Sequence, residues 1–167
     1  LRGSTLSDTD FTGVKLEGAD LSDADLRNSE LIGLDLSGVV FTGANLSGAN
    51  LSGANLTGVD LASVNFSNVN LTGANLTEAR FTGADLNGAN LREVNLVGAH
   101  LSDTNLTTVN LKGAILSGAD LRNVSLTGVD LCGVNLTGTN LTDSNLAGAN
   151  LTDANLSGAD LTHTDLS

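Results

Sequence analysis

The chain has 167 residues with no Met, Pro, Trp or Tyr, a single Cys, and 19 acidic against seven basic residues, for a net charge of -12. That balance opposes direct binding to nucleic acid and docking on anionic lipid. One Cys permits no intrachain disulfide, and no apolar run reaches membrane length.

In chain order, every position of the form 5n+1 from Leu1 to Leu166 is Leu, except Phe11, Phe41, Phe66 and Phe81, and nothing is inserted between repeats. Two residues before each lies a small or branched residue, mostly Ala or Val, with Leu34 the one large exception. The residue just before is mostly Asn or Asp, and the one just after is mostly Ser or Thr. A period of five matches neither a helix nor an uninterrupted strand, so the chain must turn inside each repeat. The Ala-Asn-Leu triplet alternates inward, outward, inward like a short strand, and the next two residues form a corner. All 20 Gly stand at the second residue after Leu or Phe, the place where a type II turn requires positive φ.

Grouped by twenty residues, the Gly segregate. The corner column of Gly18 is broken only by Glu78 and that of Gly13 only by Glu93 and Asp153, whereas the other two columns are mixed with Asp, Asn, Ser and Thr. This predicts four sides per coil, with two corners of Gly type and two of Asx-like geometry. The whole chain, 1–167, then reads as a single all-β domain of about eight coils without a helix.

The repeated A(N/D)LxG pattern, clearest in FTGANLSGANLSGANLTGVDL from Phe41 to Leu61, resembles the pentapeptide-repeat proteins over the full length. The resemblance implies a right-handed quadrilateral β-helix with Leu and Phe stacked inside. It also implies the family's range of settings, bacteria (cyanobacteria above all) and plant chloroplasts, and two kinds of role. Most members have no known biochemical activity, and a smaller group mimics DNA and binds DNA gyrase.

Candidate chemistry is sparse. Asp60, Arg80, His100 and Asp120 fall in one outward column, read as a surface ladder of alternating charge. Arg92, Lys112 and Cys132 fall in another, where Cys132 reads as an exposed thiol in a Ser/Thr position. His100 and His163 are too far apart along the coils to share a metal, and no metal, cofactor or catalytic residue is expected. Stacked Asn50, Asn70, Asn90 and Asn110, and Asn55, Asn75 and Asn95, are expected to bond amide to amide along the axis. Four apolar residues break the polar exterior, namely Ile32, Val40, Val97 and Ile115, and these are the expected contacts of a protein partner.

The function expected is therefore a non-enzymatic scaffold or protein–protein interaction module. The alternative is an acidic DNA mimic that inhibits or protects DNA gyrase, although net charges of about -4, -3, -3 and -2 on the four sides spread the acidity evenly. No membrane contact is expected. Leu1 in place of Met points to a removed leader or omitted cap, so the compartment is expected to be the bacterial cytoplasm, or the periplasm or thylakoid lumen if a leader is lost. Uncapped end coils predict an end-to-end homodimer.

Overall fold

The computed structural model describes all residues, 1–167, as one continuous winding without helices. Twenty-five parallel β-bridges join residues exactly twenty apart, from Thr5 with Asp25 to Asn145 with Asp165. Each side is a single bridged residue flanked by two inward side chains, so the register of twenty expected from the Gly columns is the register of the sheets. The backbone closes every corner but those at Thr9 and Val124 with a bond from the small residue to the Leu or Phe three before it, as from Ala24 N–H to Leu21 C=O at 3.1 Å.

The interior is a continuous apolar column. Leu21, Leu61, Phe41, Phe66 and Phe81 are fully buried, and the rings of Phe66 and Phe81 meet at 6.3 Å between centroids, tilted by 52°. Hydroxyls that replace Ala or Val inside are all satisfied. Ser29, Thr104 and Thr139 donate to the carbonyls of Leu26, Leu101 and Leu136 at 2.6, 2.6 and 2.8 Å, and no buried side-chain polar atom lacks a partner.

The corners differ from expectation. Glycine or not, the third corner residue takes positive φ, from 55° at Asn28 to 76° at Gly38, so there is one corner geometry and not two. Asp, Asn, Ser, Glu and even His163 accept the left-handed conformation at a modest cost that repeated stacking outweighs. Thr108 alone does not take it. Its β-branched side chain is the least compatible with positive φ, and its hydroxyl instead accepts from Gly88 N–H at 3.0 Å and donates to Asn87 Oδ1 at 2.7 Å. Equivalent glycines, such as Gly48, donate to a backbone carbonyl of the next coil.

Four pairs in the series carry no bridge: Lys15 with Asp35, Val40 with Asp60, Asp85 with Asn105, and Asn110 with Asp130. Three of them adjoin two larger inward residues stacked directly on each other, Val14 on Leu34, Val39 on Val59 and Val109 on Val129. The fourth such stack, Thr104 on Val124, keeps the bridge of Asn105 with Ser125, but only one of its two backbone bonds, Leu106 N–H to Ser125 C=O at 3.0 Å. Asp85 with Asn105 lies just beneath that stack. Coils stand ~4.8 Å apart, room for Ala on Val but tight for Val on Val, and the wall yields where two are superposed.

Candidate interaction surface

Each outward Asn or Asp is held by its own turn. Its Oδ1 accepts the backbone N–H two residues on, as in Ser52 to Asn50 and Thr72 to Asn70, both at 3.2 Å. In many of these turns a Thr or Ser two residues on also donates its hydroxyl to the same oxygen, as from Thr72 at 2.7 Å. The amide nitrogen then reaches down one coil. Asn50 donates to Glu30, Asn70 to Asn50 and Asn90 to Asn70, at 2.8, 3.0 and 3.3 Å, and Asn55 and Asn75 continue a second ladder from Asp35 at 3.0 and 3.4 Å. The amides of these five residues are thus spent along the axis, whereas Asn110 and Asn95, expected to continue the two ladders, make no amide bond to the coil below and only accept the N–H two residues on.

The charged columns do less than their sequence suggests. Asp60, Arg80, His100 and Asp120 are stacked by bridges, yet Arg80 makes no ion pair, and Asp120 pairs instead with Arg122, its carboxylate receiving Nε at 2.8 Å and Nη2 at 2.6 Å. The column is thus a ladder of alternating charge by position, as expected, but its members are not joined by ion pairs. Two hydrogen bonds from the guanidinium hold the Asp120 carboxyl below the usual carboxylate range, and Arg27 does the same for Asp25. Cys132 is exposed and free, in line with Arg92 and Lys112, and Arg92 turns to Glu93 at 3.5 Å. His163 faces Asp143 at 3.1 Å, three coils beyond His100.

Of the four apolar residues expected to meet a partner, Ile32, Val40 and Ile115 are 45, 45 and 41% exposed, while Val97 is half-buried. The register puts Ile32 and Val40 on opposite sides and brings together only Val97 and Ile115. They occupy the places of the Thr and Asn that bond diagonally two coils lower on the same side, Thr57 with Asn75, as Thr72 does with Asn90 on the neighbouring side, both at 2.9 Å. Val14 is also 43% exposed, although its inward position hides it from sequence reasoning, because no coil lies beneath it. At the ends, Leu1 and Leu166 are exposed and Leu151, Leu156 and Leu161 only half-buried. No helix is long and apolar enough to cross a membrane.

The sequence profile described as pentapeptide repeats matches residues 4–43, 19–58, 40–77, 74–113, 89–128, 99–138 and 130–167. Among curated proteins no sequence matches significantly. Among solved structures, HetL of the cyanobacterium Nostoc, a pentapeptide repeat protein involved in regulating heterocyst differentiation, is 30% identical over 95% of this chain and 87% of its own, with a TM-score of 0.48. A pentapeptide repeat protein of the Arabidopsis thaliana thylakoid lumen is 37% identical over 56% of this chain and 68% of its own, with a TM-score of 0.36. Full-length QnrB1, a plasmid-mediated fluoroquinolone resistance protein, is 22% identical over 99% and 90%, with a TM-score of 0.48.

Proposed function

The chain belongs to the pentapeptide-repeat family, and on that premise we propose that it is a non-enzymatic interaction module that docks another protein on its flat sides. The observation that carries the reading is the contrast on those walls. The polar side chains are largely committed to their own turns and ladders, whereas Ile32, Val40 and Ile115 stand out at 41 to 45% exposure. Large apolar side chains set in rigid, internally satisfied surroundings lose little entropy and little hydration when covered. The groups able to do chemistry are scattered, with Cys132, His100 and His163 on different columns.

The test is binding measured with purified protein and surface variants. Proteins captured by the wild type and lost with Val40→Lys or Ile115→Lys, both still folded by circular dichroism, support the reading, and capture indifferent to every wall variant overturns it. The net charge of -12 favours a second reading, an acidic DNA mimic acting on gyrase. Such a mimic needs its acids in two tracks like phosphates, and here they are spread around the four sides. No effect on gyrase supercoiling is expected at micromolar concentration, and dose-dependent loss would promote the second reading.

A further inference from the structure

We propose that the side carrying Val97 and Ile115 is a self-association face, on which a second copy of this chain packs antiparallel about a two-fold axis at those two residues. Three observations lead there. First, this side carries no charge for most of the molecule. Its two outward columns hold Lys15, Glu17 and Asp35 near the start, and from Ser37 to Ser157 they contain only Asn, Ser, Thr, Val97 and Ile115. Each of the other three sides carries acids and bases beyond residue 40 in its own two outward columns, or acids alone.

Second, its two edges are the two Gly corners. The columns of Gly13 and Gly18 bound this side, so its rims are mostly bare of side chains. Glu78, the one charged residue in the Gly18 column, lies along the corner with its carboxylate in the space a Cβ on Gly98 would need, while in the Gly13 column Glu93 meets the Gly113 position only with its Cγ at 3.4 Å and turns its carboxylate to Arg92, and Asp153 is the other acid of that rim. The segregation of Gly at a period of twenty thus clears one face, with no difference in turn geometry behind it.

Third, the apolar pair lies inside that strip on adjacent coils, Val97 three coils beyond Ser37 and Ile115 three beyond Asn55, with uncharged residues on either side of it. An isologous contact needs a patch that complements itself under a two-fold rotation, and an uncharged strip that continues in both directions from its apolar residues meets that need whichever copy is turned.

The second copy is the occupant because of charge and area. Two rods of net charge -12 bring the fewest like charges together on this side, and apposing like charges costs several kcal/mol in general. The surface of 7105 Å² divided among four sides is about 1,800 Å² per side, so covering about half of one on each copy reaches the ~1,200 to 2,000 Å² of specific interfaces. Much of the polar surface is already satisfied, since Thr57, Thr77 and Thr137 donate to the Oδ1 of Asn55, Asn75 and Asn135. This association stands or falls separately from docking of a different protein.

Sedimentation of the full chain across a concentration series tests it, with Ile115→Lys and Val97→Lys as breaking variants and Ile32→Lys, Val40→Lys and Leu156→Glu as controls on other sides and on the end. The expected result is a concentration-dependent dimer, weakened at least about ten-fold by either breaking variant, as for the centre of an interface, and unchanged by the controls. A monomer at every concentration overturns the proposal, and so does a dimer indifferent to Ile115→Lys or abolished by Leu156→Glu. Should the lysines unfold the chain, the near-isosteric Val97→Cys in a Cys132→Ser background keeps the question open to measurement. Oxidation should give a disulfide-linked dimer from Val97→Cys and none from Val40→Cys, and the reverse outcome rejects the face.

Discussion

One outward column contains both a tight and a loose stretch of wall. From Glu30 to Asn90 its coils are bridged one to the next and tied again by amide bonds at 2.8 to 3.3 Å. From Asn110 to Asp130 the same column has no bridge, and the corner before it is Thr108, which refuses the left-handed turn. The repeat is the same in both. What differs is two positions facing inward: Val69 is stacked between Ala49 and Ala89, whereas Val109 and Val129 are stacked on each other. A solenoid stabilised by neighbour contacts therefore depends on an alternation of small and larger residues at twenty-residue spacing, a rule invisible within any single repeat.

The largest expected effect tests whether the core, and not the ladder, carries most of the stability. Leu61 is fully buried in the column between Phe41 and Phe81, so Leu61→Ala should leave a void beneath two rings and cost ~2 to 5 kcal/mol in denaturant unfolding. A loss no larger than that of removing one wall amide would invert the ranking of core over ladder.

Next in size is the pair that defines the two stretches. Val69→Ala removes two methyl groups from a fitted site and should cost ~1.5 to 2.5 kcal/mol. Val109→Ala removes the same atoms from a crowded stack and should cost under ~1 kcal/mol, because relief of overpacking offsets part of the lost burial. Amide exchange gives an independent reading. The Leu111 and Asp130 amides, which find no backbone acceptor across this gap, should gain protection in Val109→Ala as the coils close. Equal costs for the two valines, with no change in protection, would mean that stacking of branched residues is not what opens the wall.

A smaller contrast separates the amides. Asn70 accepts from Thr72 twice, donates to Asn50 and accepts from Asn90, while Asn110 accepts only from Lys112 N–H, at 3.2 Å. With ~0.5 to 1.5 kcal/mol net per bond, Asn70→Ala should cost ~1 to 2 kcal/mol and Asn110→Ala less than half as much. The two measured side by side under the same conditions decide it.

Much of this is written in the sequence at one of two periods. The period of five places Leu, the small residue and the turn, and the period of twenty places the sides, because Gly18 and its column stand out from the mixed column of Asp23. Two features are legible only when both periods are read together. The stacks of Val39 on Val59 and Val109 on Val129 become visible when the inward column is lined up by twenty, and the uncharged strip around Val97 when the outward columns are. The conformations of Glu78, Glu93 and His163 at the corners are not legible this way, since residues that ordinarily avoid positive φ adopt it under the pull of the coils on either side. Nor is the pairing of Asp120 with Arg122 rather than Arg80, which depends on where two flexible side chains point.

The smallest expected effect concerns acid and again separates two kinds of wall. Asp10, Asp20, Asp25, Asp35, Asp120, Asp160 and Asp165 are all held below the ordinary carboxyl value of 3.8. The foremost cause is a hydrogen bond to the ionised carboxylate from the residue two further on: the side chain of Thr12, Ser22, Arg27, Ser37, Arg122 or Thr162, or, for Asp165, the backbone N–H of Ser167. None of the seven lies between Asp35 and Asp120. There the same position is mostly Asn, whose Oδ1 takes the same bond without a titrating proton. A carboxyl depressed in the folded state contributes stability that is present above its unfolded pKa and lost as pH falls through the folded value. Lowering the pH from about 5 to below about 3.5 should therefore loosen the turns that follow these aspartates while leaving the Asn turns intact. Protonation also relieves the repulsion of a chain at -12, which works the other way on the whole rod, so global unfolding is a poor readout and local protection a good one. Exchange protection factors, corrected for intrinsic rates, should fall at the amides of Thr12, Ser22, Ser37 and Thr162 while those of Ser52 and Thr72 hold. A uniform decline along the chain would show that the aspartate turns are not individually coupled to their protons.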